Sequence, residues 1–137
     1  MIALEFCSYS GSQSPCHCSK HDFQNSLLYL YHGLEAALPW DQHPIIQWSM
    51  NYDKLTGANR GWRGAGLHNT ERIVINEGAG DYAAQICANF RGGGYGDWYL
   101  PSKEELNLLY LKKDVIGTFY DGYYWASTEY DNNNAWF

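Results

Sequence analysis

The segment YGDWYLPSKEELNLLYLKKD, at residues 95–114, constrains the fold of this chain more than any other. Ser102 and Glu105 have the spacing of a capping box, in which each side chain bonds the other's backbone N–H at the start of a helix. An apolar face follows at the spacing i, i+3, i+4, formed by Leu106, Leu109 and Tyr110. The segment therefore predicts a helix over about residues 102–113, with Trp98 in the core before it.

Strand and turn signals follow this helix. Bulky and small β-forming residues alternate over Tyr123–Thr128, which predicts a strand. Asp131–Asn134 is typical of a turn, and Ala135–Phe137 resembles the opening of a further strand. In the first turn of the helix, we expect solvated side chains at Lys103, Glu104 and Glu105.

The rest of the chain divides into a leader and one domain. Residues 1–26 are rich in Ser, Cys, His and Gln and predict an irregular leader, whereas residues 27–137 form the domain. Two apolar runs, Leu27–Tyr31 and Ile45–Ser49, predict strands. Residues 51–69 are rich in Gly and Asn and predict a long loop.

A second helical region follows that loop. Asn69 or Thr70 can cap its start. Glycines at positions 78 and 80 predict a break near residues 77–80, which divides the region into two helices. Cys87 lies on the apolar face of the second helix, where it is expected to be a small buried hydrophobe.

Composition indicates a binding surface and excludes several other functions. Aromatic residues make up 17 % of the 137 residues, with 12 Tyr and 6 Trp, and such rings are favoured at interfaces. The net charge of −6 argues against nucleic-acid binding. No apolar stretch approaches the ~20 residues that span a bilayer. The N-terminus has no signal-peptide pattern, so a cytoplasmic location stays open.

Two clusters along the sequence contain residue types that bind metal ions. Zinc is one interpretation of the group Cys7, Cys16, Cys18 and His21, but the spacing is not a common zinc motif, and an irregular leader is favoured, with a local disulfide as a further alternative. Calcium is one interpretation of the oxygen-rich group Glu129, Asp131, Asn132, Asn133 and Asn134. A hydrophilic turn is the favoured interpretation, so the sequence predicts no metal or cofactor, with calcium as the alternative.

Enzymatic activity finds no support in the sequence. No serine lies in a nucleophile elbow, and the five histidines do not repeat at metal-ligand spacing. The glycines of Arg91–Gly96 lack the Lys-Ser/Thr pair of a phosphate-binding loop. We therefore predict that the protein is not an enzyme.

Several motifs resemble a known family in the same order along the chain. They are HGLEAA at 32–37, IQW at 46–48, GLHNT at 66–70, YAAQIC at 82–87, YGDWYLPSKEELNLLY at 95–110 and YWASTEY at 124–130. Together they resemble the C-terminal domain of the Legionella collagen-like adhesin and related domains of bacterial and phage surface proteins.

This resemblance implies an α+β, C-type-lectin-like fold, in which two helices pack on a small, mostly antiparallel twisted sheet with long loops. It also implies a homotrimer at the cell surface or outside the cell that binds sulfated polysaccharides of the host. Activity of the distantly related formylglycine-generating enzymes would need a reactive C-terminal cysteine pair, which is not present. The hairpin that usually ends family members is also absent, as is their Gly-rich first strand. The acidic balance of this chain argues against a polyanionic ligand.

The predicted function is recognition of a glycan or a host-surface protein. Aromatic rings would stack on sugar C–H faces, and amides and carboxylates would bond hydroxyl groups. The predicted ligand-binding residues are Tyr123, Trp125, Glu129, Tyr130, Asp131, Asn132, Asn133, Asn134 and Trp136. The alternatives are a homo-oligomerisation element without a ligand and a truncated product without a function.

Overall fold

The computed structural model describes the backbone of residues 3–7 and 33–37 and, in more detail, residues 46–51, 53–91, 96–116, 122–131 and 134–137. Regular structure in these ranges comprises β1 (Ala3–Cys7), β2 (Gly33–Ala37), α1 (Gly66–Glu77), α2 (Ala83–Asn89), α3 (Lys103–Leu111) and α4 (Lys113–Ile116). The described part is therefore α-rich, with little strand. The two-layer arrangement of helices on a sheet stays a prediction.

The strands β1 and β2 pair antiparallel, from Ala3 opposite Ala37 to Cys7 opposite Gly33. Because β1 lies inside residues 1–26, the prediction of an irregular leader is wrong for that stretch. The predicted strand Leu27–Tyr31 lies outside the described residues.

Helix α1 begins at Gly66, earlier than the predicted caps. Asn69 and Thr70 are buried inside the helix, where they tie it to neighbouring segments. The Asn69 side-chain amide donates to the backbone carbonyl of Arg60 (2.6 Å), and the Thr70 hydroxyl accepts from the Leu100 N–H (3.0 Å). Their polar groups thus satisfy loop backbone and do not cap a helix.

The predicted break between the two helices is confirmed. Helix α1 ends at Glu77, and Gly78 follows with φ of 77°, a left-handed value that glycine adopts at little cost. Helix α2 starts at Ala83 and packs against α1. Cys87 is fully buried in it, as predicted, and burial raises the pKa of its thiol to about 12.

Helix α3 starts with the predicted capping box. The Ser102 hydroxyl accepts from the Glu105 N–H, and the Glu105 carboxylate accepts from the Ser102 N–H (2.8 Å). Glu105 is only 2 % exposed, so its prediction as a solvated residue is wrong. Its carboxylate also accepts from the Gly64 N–H (2.8 Å), which fastens the loop before α1 (residues 53–65) to the start of α3.

The predicted strand Ile45–Ser49 is wrong, because its described residues, 46–49, are irregular. Their carbonyl groups bond distant partners instead of a neighbouring strand. The Gln47 carbonyl accepts from the Ala83 N–H (3.0 Å), and the Ile46 carbonyl accepts from the Trp125 indole (2.9 Å).

The predicted strand Tyr123–Thr128 is also wrong. Among the described residues, this part of the chain runs antiparallel to residues 134–137 and pairs with them at one isolated bridge, Glu129 to Ala135. Along the other edge, the Ser127 N–H donates to the Pro101 carbonyl (2.7 Å) and the Glu129 N–H to the Ala58 carbonyl (2.8 Å). Irregular segments therefore take the bonds that a strand ladder would use.

Two groups of buried side chains hold the described part together. The larger group comprises Trp48, Ala58, Ile73, Tyr82, Ala83, Ala84, Cys87, Trp98, Leu100 and Ala135, which confirms Trp98 as a core residue. The smaller group, Leu106 and Ala126, joins α3 to the C-terminal segment, whose described residues are 122–131 and 134–137. The Trp48 indole donates to the Ala126 carbonyl (2.8 Å), which links the two groups.

Candidate functional site

An open groove runs between α3 and the C-terminal segment. Its volume is about 730 Å³. Aromatic rings dominate its lining, contributed by Tyr110, Tyr123, Tyr124, Trp136 and Phe137. Its floor includes the apolar side chains of Leu106 and Ala126, and its polar side chains are Lys103, Glu104 and Asn107.

Helix α3 forms one wall of the groove. Lys103, Asn107 and Tyr110 are spaced at i, i+4 and i+7, which places them along one face of the helix. Two backbone bonds hold the start of the helix in position. The Lys103 N–H donates to the Thr128 hydroxyl (3.0 Å), and the Glu104 N–H donates to the Gly61 carbonyl (2.9 Å).

The C-terminal segment forms the other wall. The Ala126 N–H donates to the Trp136 carbonyl (2.8 Å), so the two extended stretches of this wall are joined beside the groove. Tyr123 and Phe137 form an edge-to-face pair with ring centroids 5.0 Å apart. Their side chains are 86 % and 67 % exposed, so both rings are available to another molecule.

The Lys103 ammonium lies over the Trp136 ring, 3.1 Å from its centroid. This cation–π contact fixes a long, flexible side chain at the groove. Tyr130 packs edge-to-face against the same indole, with centroids 5.0 Å apart. Trp136 therefore joins the two walls, while one of its faces is covered by Lys103.

The structure brings two of the predicted ligand-binding residues into the groove, Tyr123 and Trp136. Tyr130 is exposed but lies beside the groove, against Trp136. Trp125 is half-buried, and its indole is used to hold Ile46.

The predicted Asn-rich part of the site lies in the turn after Glu129. Asp131 accepts two contacts from the Asn134 side-chain amide, at 2.8 and 3.0 Å. This closes the turn locally. Asn132 and Asn133 lie outside the described residues.

Glu129 has a different position from the one its sequence neighbours suggest. It is buried, and its Oε1 accepts from the Thr56 N–H (2.7 Å) and the Thr56 hydroxyl (3.2 Å). Its Oε2 accepts from the Gly57 N–H (3.1 Å). Because both oxygens bind the chain itself, we reassign Glu129 from ligand binding to the positioning of the loop before α1.

Sequence reasoning missed most of the α3 wall and the last residue. The missed groove residues are Lys103, Glu104, Asn107, Tyr110, Tyr124 and Phe137. A signal for the helix wall exists in the i, i+4, i+7 spacing of its polar and aromatic side chains. No local signal shows that this face is opposite the C-terminal segment.

Metal chemistry receives no support from the described side chains, among which no group of three His, Cys, Asp or Glu residues is arranged to hold an ion. The side chains of the zinc interpretation, Cys7, Cys16, Cys18 and His21, lie outside them. No helix among the described residues is long and apolar enough to cross a membrane. Comparisons with protein-family models, curated proteins and solved structures find no match.

Proposed function

We propose that this protein is a non-enzymatic recognition module that binds a glycan in the groove between α3 and the C-terminal segment. The supporting observation is an open groove lined mainly by aromatic rings, with three polar side chains along one wall. Its volume of about 730 Å³ falls within the range of ligand sites, about 300–1,000 Å³.

The physical basis is the match between ring faces and the surface of a pyranose. The negative face of an aromatic ring attracts the partly positive C–H groups of a sugar, and rings lose little conformational entropy on binding. Tyr123 and Phe137 brace each other edge-to-face, so their positions are largely set before a ligand arrives. Such preorganisation reduces the cost of binding.

The motif resemblance supports the broader part of the proposal. It adds a C-type-lectin-like fold, assembly as a homotrimer, and display at the cell surface, where host glycans would be the partners. The exposed rings of Tyr123 and Phe137 also favour a second candidate function, in which the groove is an interface between copies of this chain.

A glycan array with the purified full chain tests the proposal, followed by calorimetric titration of the strongest ligand. Tyr123→Ala and Phe137→Ala should each weaken binding by about tenfold, equivalent to one lost ring contact. Trp62→Ala is the matched control, because Trp62 is an exposed aromatic outside the groove lining. It should leave the affinity unchanged.

An array without any ligand would refute the glycan proposal. Light scattering then separates the second function: an oligomer that dissociates in Tyr123→Ala but not in Trp62→Ala would show that the groove is a self-association surface.

A further inference from the structure

The three polar side chains of the groove offer both hydrogen-bond donors and acceptors. Lys103 supplies an ammonium group, Glu104 a carboxylate and Asn107 an amide. Lys103 and Asn107 are one helical turn apart on α3, and Glu104 lies between them in sequence. A ligand in the groove therefore meets charges of both signs and an amide within about one turn.

Lys103 is a positioned donor. Its ammonium is held over Trp136, at 3.1 Å from the ring centroid, and no ion pair to it exists among the side chains that the structure describes. A ring face attracts the positive charge but accepts its N–H groups poorly. The ammonium, which has three N–H donors, thus keeps donors for an oxygen of a ligand.

Glu104 is a positioned acceptor. Its Oε2 accepts from the Arg63 N–H (3.0 Å), which fixes the side chain against the loop before α1. Within the described part of the chain, its Oε1 accepts no hydrogen bond. Because successive helix residues diverge by about 100°, Lys103 and Glu104 extend to different sides of the groove wall.

From this arrangement we infer that the groove selects a sugar bearing an acetamido group. The acetamido carbonyl accepts from the Lys103 ammonium, and its N–H donates to Glu104 Oε1. The methyl group packs on the apolar floor at Leu106 and Ala126. An amide directs its carbonyl and its N–H to opposite sides, as the divergent positions of Lys103 and Glu104 require. This inference rests on the proposed function and names the ligand class for the same groove.

Other sugar classes fit the groove less well. A carboxylated or sulfated sugar would satisfy Lys103 but bring a second negative charge to Glu104, and like charges at short range repel. A sugar with a hydroxyl group at carbon 2 offers one oxygen there, which can bond only one of the two divergent side chains. It also leaves the apolar floor without a methyl group to cover it.

Two matched oligosaccharides test the inference. Chitotriose carrying its three acetamido groups and cellotriose share a β1→4 backbone and differ at carbon 2, where one has acetamido and the other hydroxyl. Titrated against the full chain, the acetamido trimer should bind at least about tenfold more tightly, the effect of one hydrogen bond to a charged group.

Variants assign that difference to residues. Lys103→Met keeps the aliphatic stem, and Glu104→Gln keeps the shape; each should reduce the difference between the two trimers to less than about threefold. Lys112→Ala, an exposed lysine outside the groove lining, is the control and should keep the full difference. Tyr123→Ala should weaken both trimers equally, and thermal melting of every variant checks the fold.

The outcomes separate the inference from the proposed function. Equal binding of the two trimers would overturn the acetamido inference and leave glycan binding intact. Tighter binding of a carboxylated trimer would also overturn the acetamido inference, as would a difference in affinity between the two trimers that survives both Lys103→Met and Glu104→Gln. Failure of every saccharide on an array to bind would overturn the proposed function itself.

Discussion

Replacing Glu129 with glutamine tests whether this residue holds the loop before α1 or binds a ligand. The substitution keeps the shape of the side chain and exchanges one acceptor oxygen for an NH₂ group. If Oε1 stays against Thr56, the new NH₂ group faces the Gly57 N–H, which loses the 3.1 Å bond that it made to Oε2. The two bonds to Oε1, at 2.7 and 3.2 Å, also lose their charge assistance.

These losses set the size of the effect. A hydrogen bond to a charged group contributes about 1.5–3 kcal/mol, and a buried donor without a partner costs about 1–3 kcal/mol. The uncharged amide is cheaper to bury, which offsets part of this. We therefore expect Glu129→Gln to lower the free energy of unfolding by about 2–4 kcal/mol, a large share of the roughly 5–15 kcal/mol typical of a domain.

Urea unfolding followed by tryptophan fluorescence measures this change. With a slope of about 2 kcal/mol per molar urea, the midpoint should fall by roughly 1–2 M. Asp131→Asn is the control, because it removes a carboxylate charge only two positions after Glu129. That carboxylate bonds Asn134 within the turn, so the substitution should lower the free energy of unfolding by less than about 1 kcal/mol. Equal midpoints for the two variants would refute the assignment of Glu129 to the loop.

Three further predictions concern stability. Gly66→Ala should destabilise the protein by about 1–3 kcal/mol in urea unfolding although alanine favours helices, because the added Cβ would lie 2.6 Å from the Tyr99 ring; an unchanged midpoint would contradict this packing. Ser102→Ala should lower the free energy of unfolding by about 1–2 kcal/mol, since Ser102 is a buried helix cap. A smaller decrease, measured by unfolding followed by circular dichroism, would count against the cap. The raised pKa of Cys87, about 12 against an ordinary value of 9.0, means that the native thiol keeps a proton that the unfolded thiol loses. The contribution of Cys87 to the free energy of unfolding therefore falls by up to about 4 kcal/mol as pH rises from about 9 to 12. Cys87→Ala should make the free energy of unfolding less dependent on pH over that range. An identical slope in the variant would exclude this cause.

Local signals in the sequence predicted the start of α3 and the break between α1 and α2. The capping box at Ser102 and the break at Gly78 depend on neighbours within a few positions, so their meaning does not change with the rest of the fold. The burial of Cys87 follows from the apolar face of one helix. Such features can be predicted because the interactions that define them are short-range.

The strand predictions failed because their partners are distant. A β-forming composition over Tyr123–Thr128 indicates that the segment is extended and half-buried, but pairing decides whether it is a strand. Its Ser127 N–H instead donates to the carbonyl of Pro101, and its Ala126 N–H donates to the carbonyl of Trp136. Nothing within the segment itself specifies those acceptors.

The candidate site shows the same contrast between features that near neighbours determine and features that depend on distant partners. Clustering of aromatic residues in the sequence pointed to Tyr123 and Trp136, and both line the candidate groove. Glu129 was misassigned because its local neighbours are polar turn residues, whereas the amides that it binds are 73 and 72 positions away. The α3 wall was missed because Lys103 and Asn107 look like solvated helix residues until the C-terminal segment lies opposite them.

The most direct test of glycan binding in the groove is a titration followed by ¹H–¹⁵N NMR of the tryptophan indoles. The chain has 6 Trp, and single Trp→Phe variants assign their signals. Of these rings, Trp136 lies in the groove, whereas Trp48 is in the core with its indole bonded to a backbone carbonyl. Addition of the acetamido trimer should shift the Trp136 signal and leave those of Trp48 and Trp62 in place. A shift at Trp62 with none at Trp136, or no shift at a saturating concentration of any array ligand, would contradict the groove as the binding site.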